Sequence, residues 1–190
     1  MKKMFLLSVI LLAMTLTVMA QTEIGFNGVG GRLGYVMPED PIESTFGFGL
    51  NADLGKITPT IKFGAFIDYW SKSYDEEEFG FNVNSSFSVF AIGALARYDF
   101  SSQGNIQPYA AGGLGMNFWS SKAESEYINP LTGKKDKTEA TVDDSDFAIH
   151  LIGGAEMPLT PQLNGFAEIK YVISDPEYFG IYVGVIYKLK

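Results

Sequence analysis

The chain has 190 residues, enough for one domain, and its 15 phenylalanines, 10 tyrosines and 21 glycines favour strands over helices. It contains no cysteine, which excludes thiol catalysis and cysteine-based metal sites. Acidic residues outnumber basic ones by 22 to 14, giving a net charge of −8, and this balance argues against a nucleic-acid partner.

Residues 1–20 predict a secretory signal peptide. A basic start precedes an uncharged apolar run, and Val18 and Ala20 are the small residues expected before cleavage at Gln21. An N-terminal membrane anchor is the alternative, but the apolar run is short for a spanning helix, which needs about 20 residues. Cleavage would leave 12 basic residues against 22 acidic ones.

Residues 21–190 predict an all-β domain of eight antiparallel strands. Apolar residues recur at every second position, and turn residues separate the runs. The predicted strands are Ile24–Met37, Ser44–Gly55, Thr60–Lys72, Ser85–Phe100, Gln107–Ser121, Asp144–Met157, Gly165–Ser174 and Tyr178–Leu189. No long segment has the 3.6-residue period of a helix, so no helix is predicted beyond the signal peptide.

The connections between these strands tend to alternate between short and long. The second, fourth and sixth are turns, whereas the third and fifth are the charged segments Ser73–Asn84 and Lys122–Asp143. An even number of strands with short turns at one end and longer loops at the other is the plan of bacterial outer-membrane barrels. The alternation therefore predicts an up-and-down transmembrane β-barrel with its short turns in the periplasm.

Alternation also separates charged residues from bulky apolar ones. In the third strand Ile61 and Phe63 share one face, while Lys62 and Asp68 share the other. Arg or Lys at the lipid midplane costs about 2–4 kcal/mol, so the charged face is predicted to line the interior, where opposite charges can pair. The predicted interior ion-pair network comprises Arg32, Asp53, Lys62, Asp68, Arg97, Glu156, Glu168 and Lys170. Eight strands leave just enough room for side chains, so the interior is predicted to be plugged.

Aromatic residues cluster near both ends of the predicted strands. Two bands of outward aromatic side chains are typical of membrane barrels, where they lie at the lipid–water boundaries. The predicted girdles are Tyr35, Tyr69, Phe118 and Phe147 at the outer end, and Tyr98, Tyr109 and Tyr187 at the inner end. Trp70 and Trp119 also lie near outer ends, although their parity points them inward.

A soluble lipocalin-like barrel is the main alternative fold, since it also has eight up-and-down strands. It would place its apolar faces inside and its charges outside. The sequence favours the membrane barrel because whole strand faces are bulky and uncharged, glycines concentrate on the charged face, and no cysteine is present to cross-link a secreted barrel.

Three features are candidates for chemical sites, and each favours a structural explanation. His150 faces the predicted interior without the serine spacing that a hydrolase needs. The acidic runs Asp75–Glu78 and Asp143–Asp146 offer oxygen ligands for Ca²⁺ or Mg²⁺, but they lack EF-hand spacing and are typical of solvated charges. The glycines of GVGGRLG lie within a strand and open no helix, so no nucleotide site is predicted. No cofactor or metal is predicted.

The signal peptide, the eight alternating strands and the closing stretch FGIYVGVIYKLK resemble the small outer-membrane β-barrel family that includes the OmpA transmembrane domain and OmpX. The resemblance implies that the last strand serves as the recognition signal for the barrel-assembly machinery. In the family this strand usually ends on an aromatic residue, whereas here Lys188, Leu189 and Lys190 end the chain.

These patterns predict a monomeric, non-enzymatic protein of the outer membrane. Its expected partners are membrane lipid, lipopolysaccharide, the assembly machinery, and an external ligand or host factor bound by segments 73–84 and 122–143. Adhesion and envelope integrity remain open as roles. A narrow porin-like channel is one alternative function, and a lipid A-modifying enzyme is a weaker one.

Overall fold

A computed structural model describes residues 23–78, 81–128 and 135–189. They form eight strands: β1 Glu23–Pro38, β2 Thr45–Thr58, β3 Ile61–Glu78, β4 Phe81–Asp99, β5 Gln107–Ile128, β6 Lys135–Pro158, β7 Leu163–Ile173 and β8 Tyr178–Lys188. The predicted signal peptide lies outside these residues. Within them, no helix has the length and hydropathy needed to cross a membrane.

The eight strands close into a single antiparallel barrel, which confirms the predicted fold. Each strand pairs with its neighbours in sequence, and β8 returns to pair with β1, where Arg32 lies opposite Gly184. Because closure leaves no open sheet edge within the ring, every strand there has a hydrogen-bonding partner on both sides.

Side chains alternate between the outside and the interior as the two-residue period predicts. On β3, Ile67 is 39% exposed and Tyr69 36%, whereas the intervening Asp68 is 2% exposed. On β8, Ile181 and Val183 are at least half exposed while Tyr182 between them is buried. The bulky apolar faces therefore cover the outer wall, and the soluble lipocalin-like alternative is wrong.

Two of the connections predicted as loops are instead extensions of the strands. In segment 73–84, β3 and β4 remain paired from Ser73 opposite Ser86 to Glu78 opposite Phe81. In segment 122–143, β5 and β6 remain paired up to Ile128 opposite Lys135. The strand assignment from sequence relied on a bulky apolar face, and strands that continue into water do not need one. Antiparallel pairing therefore continues where apolar alternation stops.

The two ends of the barrel differ in the length of their connections. The β2–β3, β4–β5 and β6–β7 turns lie at one end with both termini of the barrel. The long β3–β4 and β5–β6 hairpins lie at the other end, which in outer-membrane barrels faces the exterior.

Candidate functional site

A four-residue ion-pair network fills the centre of the barrel. Arg32 on β1 donates to Asp68 on β3 from Nε at 2.9 Å and from Nη2 at 2.7 Å, and its Nη1 donates to Glu168 on β7. Lys170 Nζ, also on β7, donates to Asp68 Oδ2 at 2.5 Å. Tyr109 donates its hydroxyl to Glu168 at 2.7 Å. Two cations and two carboxylates thus neutralise one another, which buried charges require.

Glycines provide the room for this network. A Cβ added to Gly49 would lie 2.0 Å from Asp68 Oδ1 and 3.0 Å from Arg32 Nε. A Cβ on Gly34 would lie 2.2 Å from the ring of Tyr182, which also covers Gly180. These interior positions therefore need glycine, because the neighbouring large side chains come too close to the backbone for a Cβ atom to fit.

An apolar layer closes the barrel between this network and the exterior. The buried cluster consists of Val36, Trp70, Val89, Ala148, Val172, Tyr178 and Tyr182, none more than 2% exposed. Trp70 meets Tyr178 edge-on at 5.7 Å and Phe87 at 5.8 Å, and Phe87 stacks on Trp119 at 5.8 Å. Both tryptophans point inward, as their parity predicts.

A second charged cluster lies toward the short-turn end. Arg97 donates to Asp99 Oδ1 at 2.6 Å and to Glu156, and Lys62 Nζ lies 2.9 Å from Asp99 Oδ2. The Lys62 side chain is 29% exposed, unlike the sealed central network. These residues border a cavity of about 320 Å³. Asp99 was not among the predicted network residues, although it occupies the last position of β4 and belongs to the interior face by parity.

Asp53 lines the same cavity but joins neither cluster. Its Oδ1 accepts a hydrogen bond from the Gly55 amide at 2.9 Å, and Gly55 has a φ of 109°. The β2–β3 register shifts between Asp53 and Lys56. The predicted ion pair of Asp53 is therefore absent from the described residues because this carboxylate caps the irregular end of β2.

His150 is fully buried in the interior, with its ring 4.6 Å from that of Phe66. In the described part of the chain, neither ring nitrogen has a hydrogen-bond partner. A general base needs a neighbouring nucleophile and an orienting group at hydrogen-bond distance. The contacts of His150 do not provide that geometry.

Six of the seven predicted girdle aromatics lie on the outer wall. They are Tyr35, Tyr69, Tyr98, Phe118, Phe147 and Tyr187, each at least 36% exposed. Tyr109 is 5% exposed, and its ring lies 3.8 Å beneath the Arg97 guanidinium. Its assignment to the girdle is wrong. Tyr109 and Phe118 are an odd number of positions apart on one regular strand, so they cannot share a face.

The β3–β6 extensions form what we call the protruding sheet, made of Ser71–Glu78, Phe81–Ser88, Trp119–Ile128 and Lys135–Ala148. The pairing of β3 with β2 stops at Trp70, and that of β6 with β7 begins only at Ile149. Among the strands that the structure describes, none therefore pairs with the outer edges of β3 and β6 in the protruding sheet. Where the protruding sheet leaves the barrel, Lys72 Nζ forms an ion pair with Glu43 at 2.8 Å. The hydrogen bond to Glu43 raises the pKa of Lys72.

The two acidic runs belong to the protruding sheet. Asp144 Oδ1 accepts from the Ser145 amide at 2.8 Å, and Asp146 accepts from Trp119 Nε1 at 3.1 Å. Among the residues that the structure describes, no group of three or more histidine or carboxylate side chains is arranged to hold a metal.

Comparison with known proteins places this geometry among bacterial outer-membrane proteins. The sequence profile of the outer membrane protein beta-barrel domain family matches residues 6–188. No curated protein sequence matches the chain.

Solved structures show the same fold. Neisserial surface protein A superposes with a TM-score of 0.63 at 17% identity, over 88% of this chain and 99% of that one. Ail of Yersinia pestis, solved with the heparin analogue sucrose octasulfate, superposes with a TM-score of 0.52 at 14% identity, over 89% and 99%. A major outer membrane protein of Thermus thermophilus gives 0.52 at 14%, over 87% and 100%.

The closed eight-stranded barrel, its apolar outer wall and the profile match over nearly the whole chain lead to one assignment. The chain is an outer-membrane β-barrel protein of the outer membrane protein beta-barrel domain family.

Proposed function

We propose that this protein is a non-enzymatic surface-interaction protein whose protruding sheet binds an extended, basic segment of an external partner. The outer edge of β6 from Thr138 to Ala148, with which no described strand pairs, is the observation on which the proposal rests. The barrel fixes this sheet in the membrane and holds it outside, in the way that rigid scaffolds present binding segments.

This edge of β6 offers main-chain groups that another strand can pair with. From Thr138 to Ala148 the β6 backbone is bonded to β5 on one side, while no described strand pairs with the other side. An exposed edge of this kind binds an extended peptide by adding it as a further strand. Main-chain hydrogen bonds would supply affinity, and the outward side chains would supply selectivity.

The charge of the protruding sheet selects the partner. Acidic residues outnumber basic ones by eleven to four within it. Complementary charge accelerates encounter and disfavours partners of like charge. A lysine- or arginine-rich strand therefore suits this edge.

The same charge argues against a sulfated polysaccharide, although Ail was solved with a heparin analogue. A polyanion would meet the carboxylates of Asp75 and Asp143 on a sheet whose acidic residues outnumber its basic ones. We infer that this chain and Ail share a fold but differ in ligand.

The proposal is tested by shortening each hairpin separately in the refolded, full-length barrel. Replacing residues 123–140 with Asn-Gly removes the outer part of the β6 edge but changes the formal charge of the protein by only one unit. Replacing residues 75–84 with Asn-Gly removes four carboxylates and leaves the β6 edge intact. The probe is an alternating lysine–valine peptide of about ten residues, with its glutamate counterpart as control.

We expect the 123–140 replacement to weaken binding of the basic peptide at least tenfold, because it removes several main-chain hydrogen bonds of about 1 kcal/mol each and about 1.4 kcal/mol corresponds to a factor of ten. The 75–84 replacement should weaken it less. Equal binding of both peptides to the wild-type protein would overturn the proposal. So would a larger effect from the 75–84 replacement, because that result indicates charge attraction without edge pairing.

A narrow channel is the second candidate function, and the cavity of about 320 Å³ near the short turns is the observation that favours it. The apolar layer around Trp70 and Tyr182 and the sealed network below it argue against a continuous aqueous path. We therefore place channel activity second.

A further inference from the structure

Two parallel rows of side chains cross the outer wall of β3, β4 and β5 where the protruding sheet begins. The lower row, the aromatic row, is Tyr69, Phe90 and Phe118, which lie opposite one another in register. The upper row, the hydroxyl row, is Ser71, Ser88 and Ser120, also in register.

The rows end on β6 with polar groups and border a shallow, open groove. Ser145 continues the aromatic row, and Asp143 continues the hydroxyl row. The groove has a volume of about 570 Å³ and is lined by the aromatic row, by Ser88 and Ser120 of the hydroxyl row, and by Trp119, Asp143, Asp144 and Ser145. Four strands about 4.8 Å apart make it about 14 Å long, and rows two residues apart are about 6.8 Å from each other.

We propose that this groove binds the sugar headgroup of an outer-leaflet glycolipid. The half-exposed rings of Phe90 and Phe118, 6.2 Å apart, offer the flat apolar surface on which the C–H face of a pyranose ring packs. The hydroxyl row directly above supplies donors and acceptors for sugar hydroxyl groups. The open groove, about 14 Å long, is long enough for two adjacent sugar rings.

The position of the groove at the membrane boundary indicates that the sugar belongs to a lipid. The aromatic row continues through Phe48, whose ring lies 5.5 Å from that of Tyr69, into the lipid-facing wall. Aromatic side chains of this kind mark the boundary between hydrocarbon and headgroups. A headgroup of the outer leaflet therefore lies at the height of the hydroxyl row.

The charge of the groove selects a sugar over a bare phosphate. Among the described residues, its lining contains the carboxylates of Asp143 and Asp144 and no basic side chain. On the outer face the nearest lysine by register is Lys122, one row further out and paired with Thr141. Carboxylates accept hydrogen bonds from sugar hydroxyl or amino groups and repel phosphate.

The test measures lipid retention by the folded barrel. The full-length protein is refolded into phosphatidylcholine nanodiscs that contain either digalactosyl diacylglycerol or phosphatidylglycerol with the same acyl chains. Retained lipids are counted by native mass spectrometry after release. Heat-modifiable migration on gels confirms that each variant is folded.

The critical variant is F90A/F118A, and the matched control is Y98A/F100A, which removes an outward aromatic pair at the opposite end of the barrel. We expect F90A/F118A to lower retention of the galactolipid about tenfold, as the loss of two partly buried aromatic contacts implies. The control should retain it like the wild type.

A second variant, S88A/S120A, keeps both rings and removes two hydroxyl groups. It should lower galactolipid retention severalfold and leave phosphatidylglycerol retention unchanged. Wild-type retention of phosphatidylglycerol equal to that of the galactolipid would overturn the proposal. Wild-type behaviour of either variant would overturn it as well.

Discussion

Arg32 and Asp68 lie 36 positions apart in the chain and meet in the centre of the barrel through two hydrogen bonds of 2.9 and 2.7 Å. Neither side chain is more than 2% exposed. Each also bonds to its own charged partner on β7: Arg32 donates to Glu168, and Asp68 accepts from Lys170. The pair therefore links strands that are not neighbours in the sheet.

Removing the shared carboxylate should be costly. The substitution Asp68→Asn leaves Arg32 and Lys170 with Glu168 as their remaining carboxylate, and breaking a buried ion pair from one side costs about 3–5 kcal/mol. We expect that loss in the free energy of unfolding, measured by urea titration in lipid vesicles with tryptophan fluorescence. Lys62→Met, at the partly exposed cluster, should cost about 1 kcal/mol or less. Equal losses for the two variants would contradict a sealed centre.

Gly34 should tolerate no side chain while Gly112 should tolerate one. A Cβ at Gly34 would lie 2.2 Å from the Tyr182 ring, whereas a Cβ at Gly112 would meet nothing within 4 Å. Overpacking of this kind costs about 1–3 kcal/mol. We therefore expect Gly34→Ala to lower the urea midpoint and Gly112→Ala to leave it unchanged. Adding Tyr182→Ala should make Gly34→Ala neutral if ring contact is the cause.

The interior position of Tyr109 can be tested by removing its hydroxyl. Tyr109→Phe deletes a hydrogen bond to the Glu168 carboxylate, and such bonds to charged groups contribute about 1.5–3 kcal/mol. Tyr98→Phe, on the outer wall, should leave the free energy of unfolding unchanged. A comparable loss from Tyr98→Phe would indicate a general effect of tyrosine at this end of the barrel.

Conductance measurements distinguish the filled barrel from a channel. The wild-type protein should show no discrete conductance steps in a planar bilayer, because the apolar layer and the central network occupy the interior. W70A/Y178A/Y182A removes the three largest rings of that layer but leaves the central network in place, so it should also show no steps. Steps from the wild-type protein would favour the channel over the surface-interaction role.

The sequence alone was sufficient for the alternation, the number of strands and the face on which most charges lie. Side chains alternate with a period of two, and lipid excludes charge from one face. The outward and inward faces of each strand can therefore be assigned from its own sequence, without knowledge of its neighbours. Parity was also sufficient to place Tyr109 inside and Asp99 on the interior face, although the predicted girdle and network did not follow it at these two positions.

Only the tertiary structure decided which charges meet. The choice of Asp68 and Glu168 as partners of Arg32 depends on strand register and on closure of β8 against β1, and no local pattern encodes either. The tertiary structure also determined how far β3 to β6 extend. Outside the lipid a strand needs no apolar face, so its pairing partner maintains it and the sequence signal fades where the protruding sheet begins.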